Sequence, residues 1–299
     1  MRTSVRCHLY SAVTILLWSY AYVGTRFVVT ESAIGTAELA FIRNFVSALI
    51  FISVLCVTKT PLPALRDVPL FLLAGGVGFV IHTITFSMGL ETITGGTSSV
   101  LQSTIPLMTA AMGVLVFREK LSWKSWGAML IAFAGTAVLS LWSGIFSINI
   151  GTLWSLLAAA CLAFYNIIQR HLPHREIRPY EPLHITAYCF ISATLISLFM
   201  LPSAYGQFSE ASGLVQLTTV CLGIFPSAIA FVFWSKAISM TKNLASVTNY
   251  IFLTPFAVFL VCYLVLDEIP DGGTFIGGIL ILAGLWLFNI SMRTSQENP

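Results

Sequence analysis

Residues 105–119 read IPLMTAAMGVLVFRE, and 149 positions later residues 254–268 read TPFAVFLVCYLVLDE. In each stretch a proline, Pro106 or Pro255, lies inside an apolar run that a glutamate, Glu119 or Glu268, closes. A run rich in small residues follows each, Trp126 to Leu141 and Phe275 to Phe288, with Gly135 and Gly284 in the same register. Three markers coincide in spacing, so the chain reads as a duplication. Membrane proteins built from paired repeats place a binding site where the copies meet. Transport is therefore the leading reading.

The correspondence extends toward the N-terminus of each copy. At an offset of 148, Gly75 aligns with Gly223, Gly78 with Pro226 and Ser87 with Ser235. Small residues at such points let helix backbones approach closely. Gly273 and Gly277 offer another close-packing pair, and packing explains these residues better than substrate contact does.

Composition sets the solvent. The 299 residues are 57% hydrophobic and 9% charged, with a mean hydropathy of +0.88, whereas a soluble domain is about 25% charged. A spanning helix needs about 20 mostly apolar residues. Ten segments reach that length: 9–29, 39–57, 68–90, 97–117, 123–142, 151–170, 182–201, 214–240, 244–266 and 274–291. The fold expected is an all-α integral membrane protein of ten transmembrane helices in two five-helix repeats, residues 1–146 and 147–299. The longest polar connection, from about His171 to Glu181, is a basic loop and leaves no room for a soluble domain.

Lys and Arg orient the segments. With a cytoplasmic N-terminus, 13 of the 15 basic residues fall on the inner side; Arg26 falls outside and Arg43 lies within the second segment. That is the positive-inside bias, and it places both termini in the cytoplasm. Five helices is an odd number, so the second copy enters the membrane inverted. Arg2 and Arg6 ahead of an apolar run resemble a signal peptide, but the run is of spanning length and its removal would break the pairing. The net charge of +3 belongs to inner-leaflet contact and topology, so no nucleic-acid partner is implied. The six cysteines have no C-x-x-C spacing and read as small core residues.

A charge at mid-membrane costs about 2.5–3.5 kcal/mol on insertion scales, so interior polar residues are candidates for function. They are Trp18, Tyr20 and Tyr22 in the first segment, His82 in the third, Gln102 in the fourth, and Tyr165 and Asn166 in the sixth. Trp234 in the eighth and Asn249 and Tyr250 in the ninth complete the set. Helices from both copies contribute, as a central substrate cavity requires. Each also has a plainer reading. His82 can simply bond a neighbouring helix, and Gln102 and Asn249 precede prolines that kink a helix by removing a backbone donor. Gly78, Pro106, Pro226 and Pro255 are the expected discontinuities or hinges, with Gly75, Gly76, Gly95 and Gly96 as further hinge candidates. Trp123, Trp126, Trp142 and Trp154 sit near segment ends and read as interface anchors. Arg43 and Lys236 could meet a substrate carboxylate, but snorkelling to the nearer interface is the expectation.

Ten helices in inverted five-helix copies, the Pro–Glu skeleton ending the fourth and ninth segments, and Gly-rich fifth and tenth segments resemble the drug/metabolite transporter superfamily, and within it the EamA-domain family. The resemblance covers essentially the whole chain. With the aromatic first segment (Leu17, Trp18, Ser19, Tyr20), the pattern is similar to the YddG-type exporters of aromatic and other amino acids. This resemblance implies a multi-pass protein of the bacterial inner membrane that exports amino acids and related small organic compounds by alternating access. The Pro and Glu markers recur across members with different cargo, so they imply fold and not substrate.

The energy source is constrained by what the sequence lacks. It has no G-x-x-x-x-G-K-[ST] phosphate loop, and every Asp and Glu lies at or beyond a segment end, leaving His82 as the interior group able to couple protons. Facilitated diffusion is the reading, with a proton-coupled multidrug exporter as one alternative and a carrier of nucleotide sugars or lipid-linked sugars as another. No H-E-x-x-H, His/Cys cluster or pair of deep carboxylates points to an enzyme, a metal or a cofactor, and no charged ring or carbonyl filter points to a channel. The partners expected are a small-molecule substrate and the lipid bilayer, with a monomer sufficient.

Overall fold

The computed structural model describes residues 2–118, 121–142, 149–172, 180–241, 245–266 and 272–297, and every regular element among them is helical. Hydrocarbon offers no water to an exposed peptide group, and a helix satisfies its backbone within its own segment. In chain order the elements are α1 (Arg2–Glu31), α2 (Thr36–Val57), α3 (Val68–Thr92), α4 (Gly95–Phe117), α5 (Trp123–Trp142) and α6 (Ile150–His171). They continue with α7 (Pro182–Ile196), α8 (Leu198–Glu210), α9 (Gly213–Ser239), α10 (245–266) and α11 (Gly272–Glu297). Among the described residues six helices, α1, α2, α3, α4, α6 and α9, are long and apolar enough to cross a membrane. The α7–α8 pair, bent by 53°, makes a seventh if it is one span. Shorter apolar stretches occupy Ala245–Val258 and Phe275–Ser291. Glu119 and Glu268, which close the repeated skeleton, and most of the basic connection after α6 lie outside the described residues.

Local chemistry sets the helix ends. Thr94 Oγ1 accepts the Thr97 N–H at 3.1 Å to cap α4, and Asn149 with Thr152 forms a reciprocal capping box on α6. Arg26 of α1 donates to the carbonyls of Leu90 (2.9 Å) and Ile93 (2.5 Å), where the last turn of α3 leaves oxygens without helical partners. Buried hydroxyls are met within their own helices. Ser11, Ser19 and Ser47 each donate to the carbonyl four residues earlier, at 2.8–3.0 Å.

Helices of one half pack against helices of the other in a reciprocal pattern. α1 lies along α9 as α6 lies along α3; α1 touches α10 as α6 touches α4; α2 pairs with α7, α4 with α10, and α5 with α11. Small residues make the α5–α11 contact close. A Cβ on Gly135 would stand 2.8 Å from the Gly277 carbonyl oxygen, and one on Gly284 would stand 2.6 Å from the Ala132 nitrogen. Ser122, Ser125 and Ser291 close this pair with mutual hydroxyl contacts of 2.9–3.1 Å. The main core gathers Phe51, Phe71, Phe79, Tyr165, Phe190 and Trp234. Leu16, Leu49, Leu115 and Trp286 instead point outward, the arrangement expected where acyl chains and not water surround the bundle.

Candidate functional site

Two helices are interrupted at equivalent positions. A π-helical turn occupies Gly76–Ile81 in α3 and another occupies Gly223–Ile229 in α9, a distortion frequent at functional sites. Gly78 lies in the first, where a Cβ would meet the Tyr165 Cβ at 2.7 Å, and Pro226 lies in the second. Proline has no N–H, so the carbonyl four residues back, that of Leu222, loses its helical donor. The π-turn shifts the bonding one residue further on, and the Ser227 hydroxyl also donates to that carbonyl at 2.8 Å. Ser47 from α2 donates to the Gly223 carbonyl at 2.7 Å, and Trp18 Nε1 donates to the Pro226 carbonyl at 3.2 Å. Pro106 and Pro255 also sit beside breaks. α4 is interrupted at Ser103–Thr104 just before Pro106, and a 3₁₀ turn over Asn249–Leu253 precedes Pro255 in α10.

Between these breaks is a cavity of about 50 Å³, lined from both halves of the chain, with room for a few water molecules. Trp18 and Tyr22 reach it from α1, Arg43 and Asn44 from α2, His82 and Phe86 from α3, Gln102 from α4, Ser227 and Phe231 from α9, and Thr254 from α10. Its aromatic lining falls into two groups. Trp18 lies 5.3 Å from Phe231 and 4.9 Å from Trp234, and Tyr22 meets Phe86 edge-on at 5.1 Å. His82 Nδ1 lies 3.0 Å from the Ala158 carbonyl oxygen, so Nδ1 carries a proton and donates to it.

Of the interior residues proposed from sequence, the structure brings Trp18, Tyr22, His82 and Gln102 to this cavity, with Pro226 on its wall. Tyr165, Asn166 and Trp234 stand behind it. Trp234 Nε1 donates to Asn166 Oδ1 at 2.9 Å, Asn166 Nδ2 donates to Thr109 Oγ1 at 3.4 Å, and the Trp234 ring supports Trp18. Tyr20 packs into a separate cluster with Val28, Phe41 and Leu222. Tyr250 bonds His8 of α1, and Asn249 is buried away from the cavity.

Arg43 departs from the snorkelling expected of it. It is 7% exposed, and it donates to Thr25 Oγ1 at 3.2 Å and to Ser227 Oγ at 3.2 and 3.3 Å. Hydroxyls from α1 and α9 hold the guanidinium in the bundle, where they offer hydrogen bonds that acyl chains cannot. Its sequence signal, one Arg inside an apolar run, was visible; the partners on other helices were not. Asn44, beside Arg43 in the same apolar run, carried the signal that singled out Gln102 and was not selected; Ser227 and Thr254 have ordinary helix-interior identities and gave none.

Of the nine buried side-chain polar atoms without a partner among the described residues, three belong to residues that line this cavity. Asn44 Nδ2, Gln102 Oε1 and Thr254 Oγ1 are buried and have no hydrogen-bond partner, on residues 1%, 2% and 1% exposed. Buried polar groups are ordinarily satisfied, and leaving one unmet costs about 1–3 kcal/mol. The lining residues hold no carboxylate and no cysteine. The arrangement suits reversible binding of a polar molecule better than covalent chemistry.

Comparison with known proteins agrees. The profile of the family described as the EamA-like transporter family matches the chain twice, at residues 5–141 and 149–290. A probable terminal-alkyne amino-acid exporter of Streptantibioticus cattleyicolor is 28% identical, with 96% of this chain and 95% of that protein covered. An S-adenosylmethionine uptake transporter of Rickettsia prowazekii is 26% identical over 93% of this chain and 88% of its own length. An uncharacterised transporter of Bacillus subtilis is 25% identical over 95% and 91%. A crystal structure superposes with a TM-score of 0.73 at 19% identity, covering 96% of this chain and 98% of the other. That likeness concerns the fold alone.

Proposed function

Since the chain belongs to the EamA-like transporter family and is thus a multi-pass membrane transporter, we propose that it exports amino acids, aromatic and other neutral ones, from the bacterial cytoplasm across the inner membrane. The observation that carries this reading is the cavity, which combines one buried cation, unpaired amide and hydroxyl groups, and an aromatic wall. An amino acid offers the complement of all three. The exporter name of the Streptantibioticus relative supports the cargo class. The Rickettsia relative bears a different cargo and direction in its name, yet that cargo also carries an α-amino-acid group.

The architecture proposed is ten transmembrane helices in two inverted repeats, 1–146 and 147–299, with both termini cytoplasmic. The two family matches and the reciprocal packing of α1 on α9 and α6 on α3 support it. Transport proceeds by rocking of helix groups around the site. The cavity, at about 50 Å³, is well below the roughly 300–1,000 Å³ of typical ligand sites, so cargo enters only when helices part. The π-turns and the prolines beside them supply places for α3, α4, α9 and α10 to bend. No carboxylate lines the cavity, where His82 is the group able to couple protons, and the reading is facilitated diffusion down the cargo's gradient. A nucleotide sugar, with its diphosphate, would call for more cations than the one arginine present.

Counterflow in proteoliposomes tests the reading. Vesicles preloaded with unlabelled phenylalanine or threonine, without ATP, should accumulate the labelled amino acid with or without a pH gradient. No exchange of any amino acid by folded protein sinks the cargo assignment, while uptake that requires a pH gradient sinks facilitated diffusion.

A further inference from the structure

We propose that Arg43 and Asn44 form the anchor for the substrate carboxylate, and that Gln102 Oε1 and Thr254 Oγ1 on the same cavity receive the substrate ammonium. This assignment rests on the amino-acid reading and sets the orientation of the cargo within the site.

The case begins with an imbalance of charge. Arg43 is buried, and its partners, the Thr25 and Ser227 hydroxyls, accept hydrogen bonds without neutralising the cation. No carboxylate among the described residues bonds it. A guanidinium has five N–H donors, and these contacts employ three, from Nε, Nη1 and Nη2. A buried unpaired charge is among the costliest features a fold can carry. Here it borders a cavity, so a monoanion entering that space would supply the missing partner. Asn44, next to Arg43 in the chain, brings an unpaired amide nitrogen to the same cavity. A guanidinium and a further N–H donor are groups that recognise a carboxylate.

The acceptors come from other helices. Gln102 Nε2 donates to the Ser155 carbonyl at 3.2 Å, which fixes the carboxamide so that Oε1 is the end left without a partner. Thr254 Oγ1 of α10 is likewise unpaired. An ammonium has three donors and no acceptor, and these two oxygens match it. Trp18, Phe86 and Phe231 remain for an apolar side chain. The cavity thus offers donors from α2 and acceptors from α4 and α10 to a zwitterion.

The test separates the two ends of the ligand. Binding of L-phenylalanine, phenethylamine (no carboxylate) and 3-phenylpropanoate (no ammonium) is measured on full-length protein in nanodiscs. Arg43→Gln should weaken phenylalanine and 3-phenylpropanoate by about 10- to 100-fold, as expected for a lost charged hydrogen bond, and leave phenethylamine unchanged. Thr254→Val should weaken phenylalanine and phenethylamine and leave 3-phenylpropanoate unchanged. An Arg43→Gln protein that binds phenylalanine as the parent does overturns the anchor, as does one that loses all three ligands equally while Thr254→Val shows no selectivity. If the parent exchanges no amino acid in counterflow, the cargo reading falls and this assignment with it. Exchange that persists unchanged in Arg43→Gln sinks the anchor alone.

Discussion

The α5–α11 pair and the central cavity are built from the same apolar alphabet and behave as opposites. Along α5 and α11, Gly135 and Gly284 bring backbones into direct contact, Ala128, Met129, Ala132 and Ile281 fill the seam, and three serines satisfy one another. Around the cavity the helices are broken, carbonyls are bonded by side chains from other helices, and three buried polar atoms have no partner. The first region spends its small residues on rigidity. The second holds unmet hydrogen-bonding capacity and helices that depart from regular geometry, the properties needed where a ligand must enter and a bundle must move.

Substitutions should divide along this line. The largest expected effect is Gly284→Ile, which forces a branched side chain onto the Ala132 backbone; destabilisation of about 3 kcal/mol or more should appear as a large fall in melting temperature and folded yield in detergent. Ser227→Ala comes next. It removes the hydroxyl that donates to the Leu222 carbonyl and accepts from Arg43, so a loss of about 1–3 kcal/mol should accompany a clear fall in counterflow rate. Pro226→Ala sharpens the contrast, because it restores an N–H for Leu222 and regularises α9. Thermal stability should shift by about 1 kcal/mol or less while the transport rate drops severalfold; an unchanged rate would break the link between the π-turn and movement. The smallest is Ser291→Ala in the α5–α11 seam, about 0.5–1 kcal/mol by thermal melting, with counterflow at the parental rate. Lost transport there would erase the distinction between the two regions.

Legibility from sequence followed the same division. Helix positions were largely readable because length and hydropathy are local: each of the ten apolar segments overlaps a helix among the described residues, but the 53° bend after α7 and the helix α8 that continues to Glu210 were not foreseen. The cavity was half readable. Trp18, Tyr22, His82 and Gln102 stood out as polar or aromatic residues inside apolar runs, and they do line it. Tyr20, two residues from Trp18, stood out equally and packs elsewhere, because residues two apart on a helix are rotated by about 200° and face different sides. Trp234, Tyr165 and Asn166 were drawn into the same set, yet they form the support behind the wall and not the wall itself.

What the sequence determined by itself is the membrane as solvent, the positions of the helices, the repeated proline skeleton and the family, since each depends on composition or spacing along the chain. What only the tertiary structure decided is which polar groups share one space and which of them lack partners. Arg43 depends for its burial on Thr25, 18 residues away, and on Ser227, 184 residues away. Hydropathy records the cost of placing that charge in the bilayer, but only the packing of α1, α2 and α9 shows what offsets it and what it still lacks.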